Sequence, residues 1–431
     1  MRTLLASILL TAAATSAAHA NAFYLSEHDA RETGRGDTGV ATDTDPSAIF
    51  FNPAGIAVGD GTRVSIGGSL IIPDASFTPT GGTKYDSTTG AQVLPSLFVT
   101  HQINSMFAVG VGFHAPFGLE IDWPVNSPSA DVIQTQSLRT YYLSAVAGIN
   151  LDQFIPGLSA GVGIDIVPST VELQQAIYFG ADHTCTNDTT TAVNCGSAHL
   201  DGTATGVGYR AGVMYKPRFA PRLSLGLMYN SQVKLDYTGS ADFDAPAPYR
   251  SQLPPDGDVS TSITIPERIV GGVAYRPVDR LEVELNISWV DWSKFQELAI
   301  KLPNGTSAVT PEDYTNTTSI RFGAEYRLPL GAAVRVGYIH DPTPVPGQTL
   351  TAQLPDADRN DLTAGASYKI GNYEASVGLL YVLPTTRNTP PATGSTTFQP
   401  EYHGEYDISA FVAAVQLQGK FGGTGANPQP Q

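Results

Sequence analysis

The sequence predicts an all-β fold, a 14-stranded antiparallel transmembrane β-barrel, and three observations lead to this prediction. The first is alternation of apolar and polar residues, seen in 280–292, 320–328 and 373–383. In 280–292 the apolar face carries Leu281, Val283, Leu285, Ile287 and Trp289, and the polar face carries Glu282, Glu284, Asn286 and Ser288. A packed soluble core rarely accepts such charges inside strands without partners, so alternation here favours a lined lumen over a sandwich.

Connection lengths and aromatic placement are the other two observations. Tight turns are predicted at 104–105, 277–279, 329–331 and 371–372, and long polar connections at 118–137, 177–202, 239–258, 300–315, 343–359 and 388–402. Aromatic residues gather toward strand ends, as at Tyr141 and Tyr142, Trp289 and Trp292, and Tyr402 and Tyr406. Short turns on one rim, long loops on the other and an apolar outer band are typical of an outer-membrane barrel.

The predicted strands are even in number, as bacterial barrels require. They cover 61–76, 91–103, 106–117, 138–151, 157–175, 203–216, 221–237, 259–276, 280–298, 316–328, 332–342, 360–370, 373–386 and 404–421. In the last strand, Phe411, Ala413, Val415, Leu417 and Phe421 are expected to face lipid. The barrel domain is therefore predicted over 61–421.

The chain ends are predicted to lie outside the barrel wall. Residues 1–20 combine Arg2, an apolar stretch and a small-x-small site at 18–20, which together indicate a secretory signal peptide. The mature chain is expected to begin at Asn21, and 21–60 precede the first strand with an apolar second half. Residues 422–431, GGTGANPQPQ, are expected to form a disordered tail.

Composition excludes several partners and chemistries. The formal charge of −16 disfavours a nucleic-acid partner, because phosphate binding needs clustered Lys and Arg. Cys185 and Cys195 are expected to form a loop disulfide in an oxidising compartment, the alternative being two unpaired thiols. The nearby His183 and His199 match no standard zinc spacing, so no metal site is predicted.

Enzyme motifs are missing from the sequence. It contains no GxSxG, P-loop or metal-spaced histidine cluster. His28 and Asp29, and likewise His340 and Asp341, are adjacent pairs, and neighbours on a strand point to opposite faces. We expect no enzymatic activity and no cofactor.

Several segments resemble one known family. They are NAFYLSEHDARETGRGDTGVA followed by DPSAIFFNPAG near the N-terminus, 264–295, 320–346 and 354–370. Together they are similar to the FadL/TodX family of long-chain fatty acid and aromatic hydrocarbon transporters. The resemblance implies a fourteen-stranded barrel whose N-terminal 21–60 forms a hatch inside the lumen. It also implies a multi-pass location in the bacterial outer membrane.

The resemblance implies passive uptake of hydrophobic compounds, such as long-chain fatty acids or aromatic hydrocarbons. Uptake would proceed by loop capture, a lumen pocket, hatch rearrangement and lateral exit at an interrupted third strand. The expected partners are hydrophobic small molecules, outer-membrane lipid and lipopolysaccharide, with the chain as a monomer. The alternatives are a general porin for polar solutes and a surface adhesin or receptor.

Candidate ligand contacts lie in FHAPFGLEIDWPV, 113–125. Phe117, Leu119, Ile121 and Trp123 alternate with polar residues or glycine, and we interpret them as an apolar capture groove. The alternative is packing of the loop against its neighbours. Burial of apolar area contributes roughly 25 cal/mol per Å2, so a modest groove suffices for capture.

The lateral opening is predicted on 106–117. Gly110, Gly112, His114 and Pro116 share its inward face, where small residues leave room for a ligand and proline cannot donate to the ladder. The alternatives are that these residues relieve barrel curvature and that His114 contacts the hatch. An additional possibility is that His114 binds a carboxylate head group.

The hatch is predicted to contain Phe23 and the turn Asn52-Pro53-Ala54-Gly55, with Phe50 and Phe51 anchored to the wall or bordering the ligand pocket. Candidate partners for a carboxylate ligand are inward-facing Arg321, Arg327, Arg335 and Lys369. The alternative is that these cations pair with lumen acids such as Glu282, Glu284 and Glu325, or with the hatch.

Overall fold

Fourteen antiparallel strands follow one another around a closed barrel. The computed structural model of the chain describes residues 22–179, 195–389 and 403–422. In chain order, the strand segments are β1 (Thr62–Pro79), β2 (Tyr85–Asp86), β3 (Gln92–Gln102), β4 (Phe107–His114), β5 (Gly118–Asp122), β6 (Thr135–Thr140), β7 (Tyr142–Asn150), β8 (Leu158–Tyr178), β9 (Cys195–Tyr215), β10 (Leu223–Asn230), β11 (Val233–Asp244), β12 (Gly257–Ile265), β13 (Arg268–Val278), β14 (Leu281–Val290), β15 (Glu297–Lys301), β16 (Ser307–Pro311), β17 (Thr317–Arg327), β18 (Ala332–Asp341), β19 (Arg359–Ile370), β20 (Tyr373–Asn388) and β21 (Gly404–Phe421).

Closure is made by β1 and β21, which pair from Thr62 opposite Phe421 to Pro79 opposite Gly404. Six barrel strands consist of two segments each, namely β4 with β5, β6 with β7, β10 with β11, β12 with β13, β14 with β15, and β16 with β17. The short β2 adds to the end of β1 beyond the barrel register. The predicted fold class is thereby confirmed.

The two faces of the wall differ as the alternation predicts. In β14 the side chain of Glu284 is 1% exposed, whereas that of its neighbour Leu285 is 43% exposed. Apolar side chains therefore form the outer surface, as a strand facing hydrocarbon requires. The polar inner faces are covered by residues 22–57 of the chain.

Residues 22–58, which we call the lumen segment, lie inside the barrel and are mostly buried, although Val58 at the end of the segment is exposed. They contain α1 (Ala30–Thr33), α2 (Ala48–Phe51) and a 3-10 turn (Pro53–Val58). Three further 3-10 turns are Arg250–Gln252, Trp292–Lys294 and Pro329–Gly331. Within the described ranges, no helix is long and apolar enough to cross a membrane.

The third barrel strand departs from the predicted single strand over 106–117. It consists of β4 and β5 with a break at 115–117, so Leu119 and Ile121 lie in a strand rather than a loop. At the break, Leu25 N donates to Pro116 O at 2.8 Å and Gly118 N donates to Phe23 O at 3.0 Å. The lumen segment thus takes hydrogen bonds that a neighbouring strand would otherwise make, a long-range effect that local patterning does not contain.

One other connection is shorter than expected. β8 extends to Tyr178 and β9 begins at Cys195, although 177–202 was predicted as loop, because the two strands continue to pair with each other over polar residues. The predicted signal at 1–20 and Cys185 of the expected disulfide lie outside the described residues, as do residues 423–431 of the predicted tail.

Candidate functional site

Asn52 and Pro53 fix the middle of the lumen segment to the wall. The Asn52 amide donates to Val40 O at 2.7 Å and to Val213 O at 3.1 Å, while its Oδ1 accepts from Ala54 N at 3.1 Å. The side chain therefore caps the following 3-10 turn and ties it to β9. This explains the local choice of Asn-Pro, because Asn caps turns well and Pro suits their first position.

Glycines in the wall allow this close approach. A Cβ atom on Gly161 would lie 2.3 Å from Pro53 C, and one on Gly212 would lie 2.0 Å from Asn52 Oδ1. Any larger residue at either position would overlap the lumen segment. The wall and the Asn52-Pro53 turn are therefore fitted to each other.

One buried charge cluster centres on Arg35. Its guanidinium lies 2.6 Å from Glu284, 3.3 Å from Glu282 and 3.2 Å from Glu32. Glu284 also accepts backbone hydrogen bonds from the lumen segment at 2.9 and 3.0 Å. Glu284 thus accepts its hydrogen bonds from the lumen segment, whereas Glu282 also accepts one from Arg276 of the wall at 2.7 Å.

A second cluster centres on Glu325. Arg31 of the lumen segment lies 3.0 Å from Glu325 and 2.9 Å from Asp45, and Arg335 lies 2.8 Å from Glu325. A separate group of charges forms around Arg321, which contacts Asp37 at 3.8 Å and Asp341 at 3.6 Å. Buried pairs of this kind are costly to separate, because each partner would remain desolvated and unpaired.

Burial shifts the ionisation of groups in the lumen segment. It lowers the pKa of His28 to about 3, so the imidazole is neutral. Burial and the neighbouring Glu27 carboxylate together raise the pKa of Asp37 to about 7, against the opposing effect of Arg321. His28 then acts as a flat apolar ring, 4.8 Å from the Phe50 ring and 5.5 Å from the His114 ring.

The lumen pocket is an apolar cavity inside the barrel, bounded at one side by Phe23. Its walls include Val171, Leu173, Tyr237, Ile263, Phe295 and Leu298, which come from four different strand segments and one connection. The Phe23 ring lies 4.8 Å from Trp292, 6.0 Å from Phe295 and 6.1 Å from Phe117. Aromatic residues thus separate this pocket from the break in the third strand.

The wall gap is an opening between β3 and β5. In the described part of the chain, β3 pairs with β4 from Leu97 onward, and β5 pairs only with β6. Residues 92–95 and 115–121 therefore face each other across a cavity of 270 Å3. Ala22 and Leu25 line its inner end, so only 22–25 of the lumen segment lie between the gap and the lumen pocket.

Sequence comparison with known families decides the identity of the chain. A sequence model of the family described as "Outer membrane protein transport protein (OMPP1/FadL/TodX)" matches residues 11–421. The chain belongs to this family. It is accordingly an outer-membrane transport protein for hydrophobic compounds and not an enzyme, as predicted.

Individual relatives of this FadL/TodX member are distant but similar over most of their length. Outer membrane protein P1 of Haemophilus influenzae is 26% identical over 88% of this chain and 89% of its own. The long-chain fatty acid transport protein of Salmonella typhi is 26% identical over 82% of this chain and 85% of its own.

Solved structures show the same fold. A Pseudomonas aeruginosa FadL homologue has a TM-score of 0.79 at 20% identity, covering 93% of this chain and all of its own. The Ralstonia pickettii toluene transporter TbuX has a TM-score of 0.71 at 21% identity, covering 92% of this chain and 99% of its own. At this identity, the likeness supports the fold alone.

The predicted capture residues of the FadL/TodX chain lie together. Phe117 and Ile121 line the wall gap, and Leu119 lines both the gap and the lumen pocket. Trp123 is buried, and its indole donates to Ala352 O at 2.9 Å, which ties this segment to the connection 342–358. The four residues therefore form inner surface near the break rather than an exposed loop groove.

The residues predicted for the lateral opening divide into two groups. Cβ atoms on Gly110 and Gly112 would meet Ile49 at 2.8 and 3.0 Å, so these glycines make room for the lumen segment. His114 packs among the Phe50, Phe98 and Tyr142 rings. Pro116 alone lies at the break, where it borders a small cavity with Phe50 and Arg268 and does not line the wall gap.

The lumen aromatic and basic residues are also placed. Phe50 lies 4.9 Å from Phe51 and borders a small cavity with Arg268, whose guanidinium stands over the Phe50 and Tyr24 rings. Of the predicted head-group cations, Arg321 and Arg335 are buried beside carboxylates. Arg327 contacts Glu325 at 3.0 Å and is 45% exposed, and Lys369 is exposed.

Most of the lumen pocket was not predicted. Val167, Val171 and Leu173 share the inward face of β8 with Ser169. The inward face of β8 changes from polar to apolar residues toward the long loop. This change is the sequence signal that could have identified these pocket residues. Among the described residues, no three His, Cys, Asp or Glu side chains are grouped to hold a metal ion.

Proposed function

We propose that this chain is a passive diffusion channel in which a hydrophobic molecule moves from the lumen pocket through the wall gap into the bilayer. The observation that carries the proposal is that Leu119, Leu138 and Leu354 line both cavities, while residues 22–25 lie between them. Displacing Phe23 and its neighbours would join the two cavities into one apolar path. Such a path suits a solute that gains nothing from a water-filled pore.

In this proposal the lumen segment is the hatch. Its charge clusters hold 26–58 in place, and the end near Ala22 moves. Ala22 N donates to Asp356 at 3.1 Å, so the connection 342–358 that borders the lumen pocket also holds this end. Ligand in the pocket would press on Phe23 and on this connection together. The long loops would face lipopolysaccharide, with the chain acting as a monomer.

The wall gap can be tested by filling it. Ala115→Trp and Leu94→Trp place an indole at opposite sides of the gap, and Val207→Trp adds the same indole to a lipid-facing position that is 67% exposed. We expect the first two to lower uptake of labelled toluene in a deletion strain by tenfold or more. Val207→Trp should transport like the parent chain.

Heat-modifiable gel mobility would verify that each variant forms a folded barrel. Undiminished uptake by both folded gap variants would rule out lateral exit. If the parent chain instead passed small polar solutes with a large steady conductance, the chain would be a general porin.

A further inference from the structure

The lumen pocket differs from the rest of the barrel interior in its charge. Of its 26 described lining residues, none is Arg, Lys or His, and only Asp201 and Glu312 are acidic. Elsewhere in the lumen, buried arginines pair with carboxylates, as Arg31, Arg35, Arg210 and Arg321 do. The pocket therefore offers an entering molecule no cationic partner.

Glu312 is the acid that faces the pocket interior. Its side chain is 8% exposed and hydrogen-bonds to Tyr314, which is itself 3% exposed. Glu312 follows β16 and lies outside β17, whose 11 residues are enough to cross the bilayer. Burial raises the pKa of Glu312 to about 8, with the nearby Asp313 charge adding to the shift, so the carboxyl is mostly protonated at neutral pH.

The remaining polar groups of the pocket are neutral or lie at its rim. Gln136 is buried, and its Oε1 accepts no hydrogen bond from the described residues. Asp201 is exposed and accepts a hydrogen bond from Ser240 at 2.6 Å. The pocket can thus bond to a neutral polar head through Gln136 or protonated Glu312, but it cannot form an ion pair with an anion.

The arginines near the pocket are engaged elsewhere, and Lys301, which is exposed in an adjoining cavity that shares Thr238 and Ser260 with the lumen pocket, does not line the pocket itself. Arg139 and Arg359, in the wall gap, lie 2.9 Å from Glu120 and 3.2 Å from Asp341. Arg387 donates to the carbonyl oxygens of Asp356 and Val345. Arg268 lines a separate cavity of 20 Å3 and stands over two aromatic rings.

A carboxylate entering the lumen pocket would lose its hydration without gaining a charged partner. Such a transfer is strongly unfavourable, and the group neutralises instead where it can. We infer that the lumen pocket of this chain selects uncharged apolar molecules, such as hydrocarbons and esters, over free long-chain carboxylates. The inference rests on the proposed function, since it takes the lumen pocket to be the ligand site.

Two probes with the same tail test the inference. Equilibrium binding of labelled methyl laurate and labelled laurate would be measured at pH 7.5 on the full chain in nanodiscs, with empty nanodiscs subtracted. We expect methyl laurate to bind at least tenfold more tightly than laurate. Binding of laurate as tight as that of the ester would overturn the inference and leave the proposed function standing. Binding of neither probe would overturn both.

A charge introduced into the pocket should reverse the preference. Gln136→Lys adds an ammonium group at a lining position, and Gln136→Met is the neutral control of similar size. The laurate-to-ester affinity ratio should rise tenfold or more in Gln136→Lys and stay at the parent value in Gln136→Met. Gln353→Arg, in the connection 342–358 instead of β6, provides the same test if Gln136→Lys does not fold. A ratio unmoved in a folded cationic variant would place the ligand elsewhere.

Discussion

The two parts of the lumen segment are held by different forces. Residues 26–58 are fixed by buried ion pairs and by contact with wall glycines. Residues 22–25 are held by aromatic rings and a few backbone hydrogen bonds at the break in the third strand. One continuous segment therefore combines a strongly anchored body with a more weakly held end, and the weak end lies where the two cavities approach each other.

The physical difference explains which part is suited to move. Removing one partner of a buried ion pair costs about 3–5 kcal/mol, because the other charge stays desolvated. An edge-to-face ring contact contributes about 0.5–1.5 kcal/mol beyond its buried area, and rings can slide without leaving a charge unpaired. Motion at 22–25 is therefore compatible with a body that keeps the barrel closed to polar solutes.

The largest expected effect comes from removing the centre of the anchored body. Arg35→Met would leave Glu284, Glu282 and Glu32 without their shared cation. We expect docking of the lumen segment to lose about 3–5 kcal/mol and the channel to conduct ions steadily in planar bilayers. Arg218→Met removes an exposed partner of Asp152 and should leave conductance unchanged. A closed Arg35→Met channel would show that the charge cluster is not the anchor.

A smaller effect is expected from overpacking the same body. In Gly161→Val the new side chain would overlap Pro53, and such overpacking costs about 1–3 kcal/mol. The melting temperature of the folded barrel should fall and conductance should fluctuate. Gly271→Val is the matched control, because a Cβ there meets nothing within 4 Å. Equal effects of both substitutions would attribute the loss to strand propensity rather than to contact with the turn.

The sequence predicts the barrel wall better than it predicts the contacts between the wall and the lumen segment. Alternation identifies the lipid face in β14, because side-chain direction in a strand depends only on local geometry. It also locates Phe117 and Leu119, but it treats 106–117 as one strand, since the hydrogen bonds at the break come from Phe23 and Leu25. Gly110 and Gly112 were interpreted as space for ligand, and that space is occupied by Ile49. Neither contact leaves a trace in local patterning.

The weakly held end should respond separately from the body. Phe23→Leu removes the ring contacts to Trp292, Phe295 and Phe117 and should cost about 1 kcal/mol of local stability. Hydrogen exchange at the Leu25 and Gly118 amides should then accelerate about fivefold. Exchange at the Asn52 amide, which bonds to Ala48 O within the body, should not change.

The control for this measurement is Phe154→Leu, at a side chain that is 71% exposed and outside the lumen. It should alter exchange at neither site. Parallel acceleration at Leu25 and Asn52 in Phe23→Leu would mean that the lumen segment opens as one unit, which would remove the distinction between body and end.

The smallest expected effect is a pH dependence of ligand affinity, and it arises from Glu312 in the lumen pocket, next to the weakly held end. The folded-state pKa of Glu312 is about 8 and lies above its ordinary value near 4.5, so the folded chain favours the protonated carboxyl. The stability that this group contributes is fully present below pH 4.5 and is lost as pH rises through 8. An apolar ligand in the pocket desolvates the carboxyl further, so ligand binding and protonation favour each other.

Methyl laurate affinity should therefore fall about two- to threefold between pH 7 and pH 9, and Glu312→Gln should remove that dependence. The other titratable groups near Glu312 do not reproduce it. The pKa of buried Tyr314 is raised well above its usual value, which keeps the phenol protonated in this range. Asp313 is a neighbouring charge that raises the pKa of Glu312, and it remains in place in Glu312→Gln. A pH dependence that persisted in Glu312→Gln would assign the titration to another group. The preference for uncharged ligands would then rest only on the absence of Arg, Lys and His from the described pocket lining.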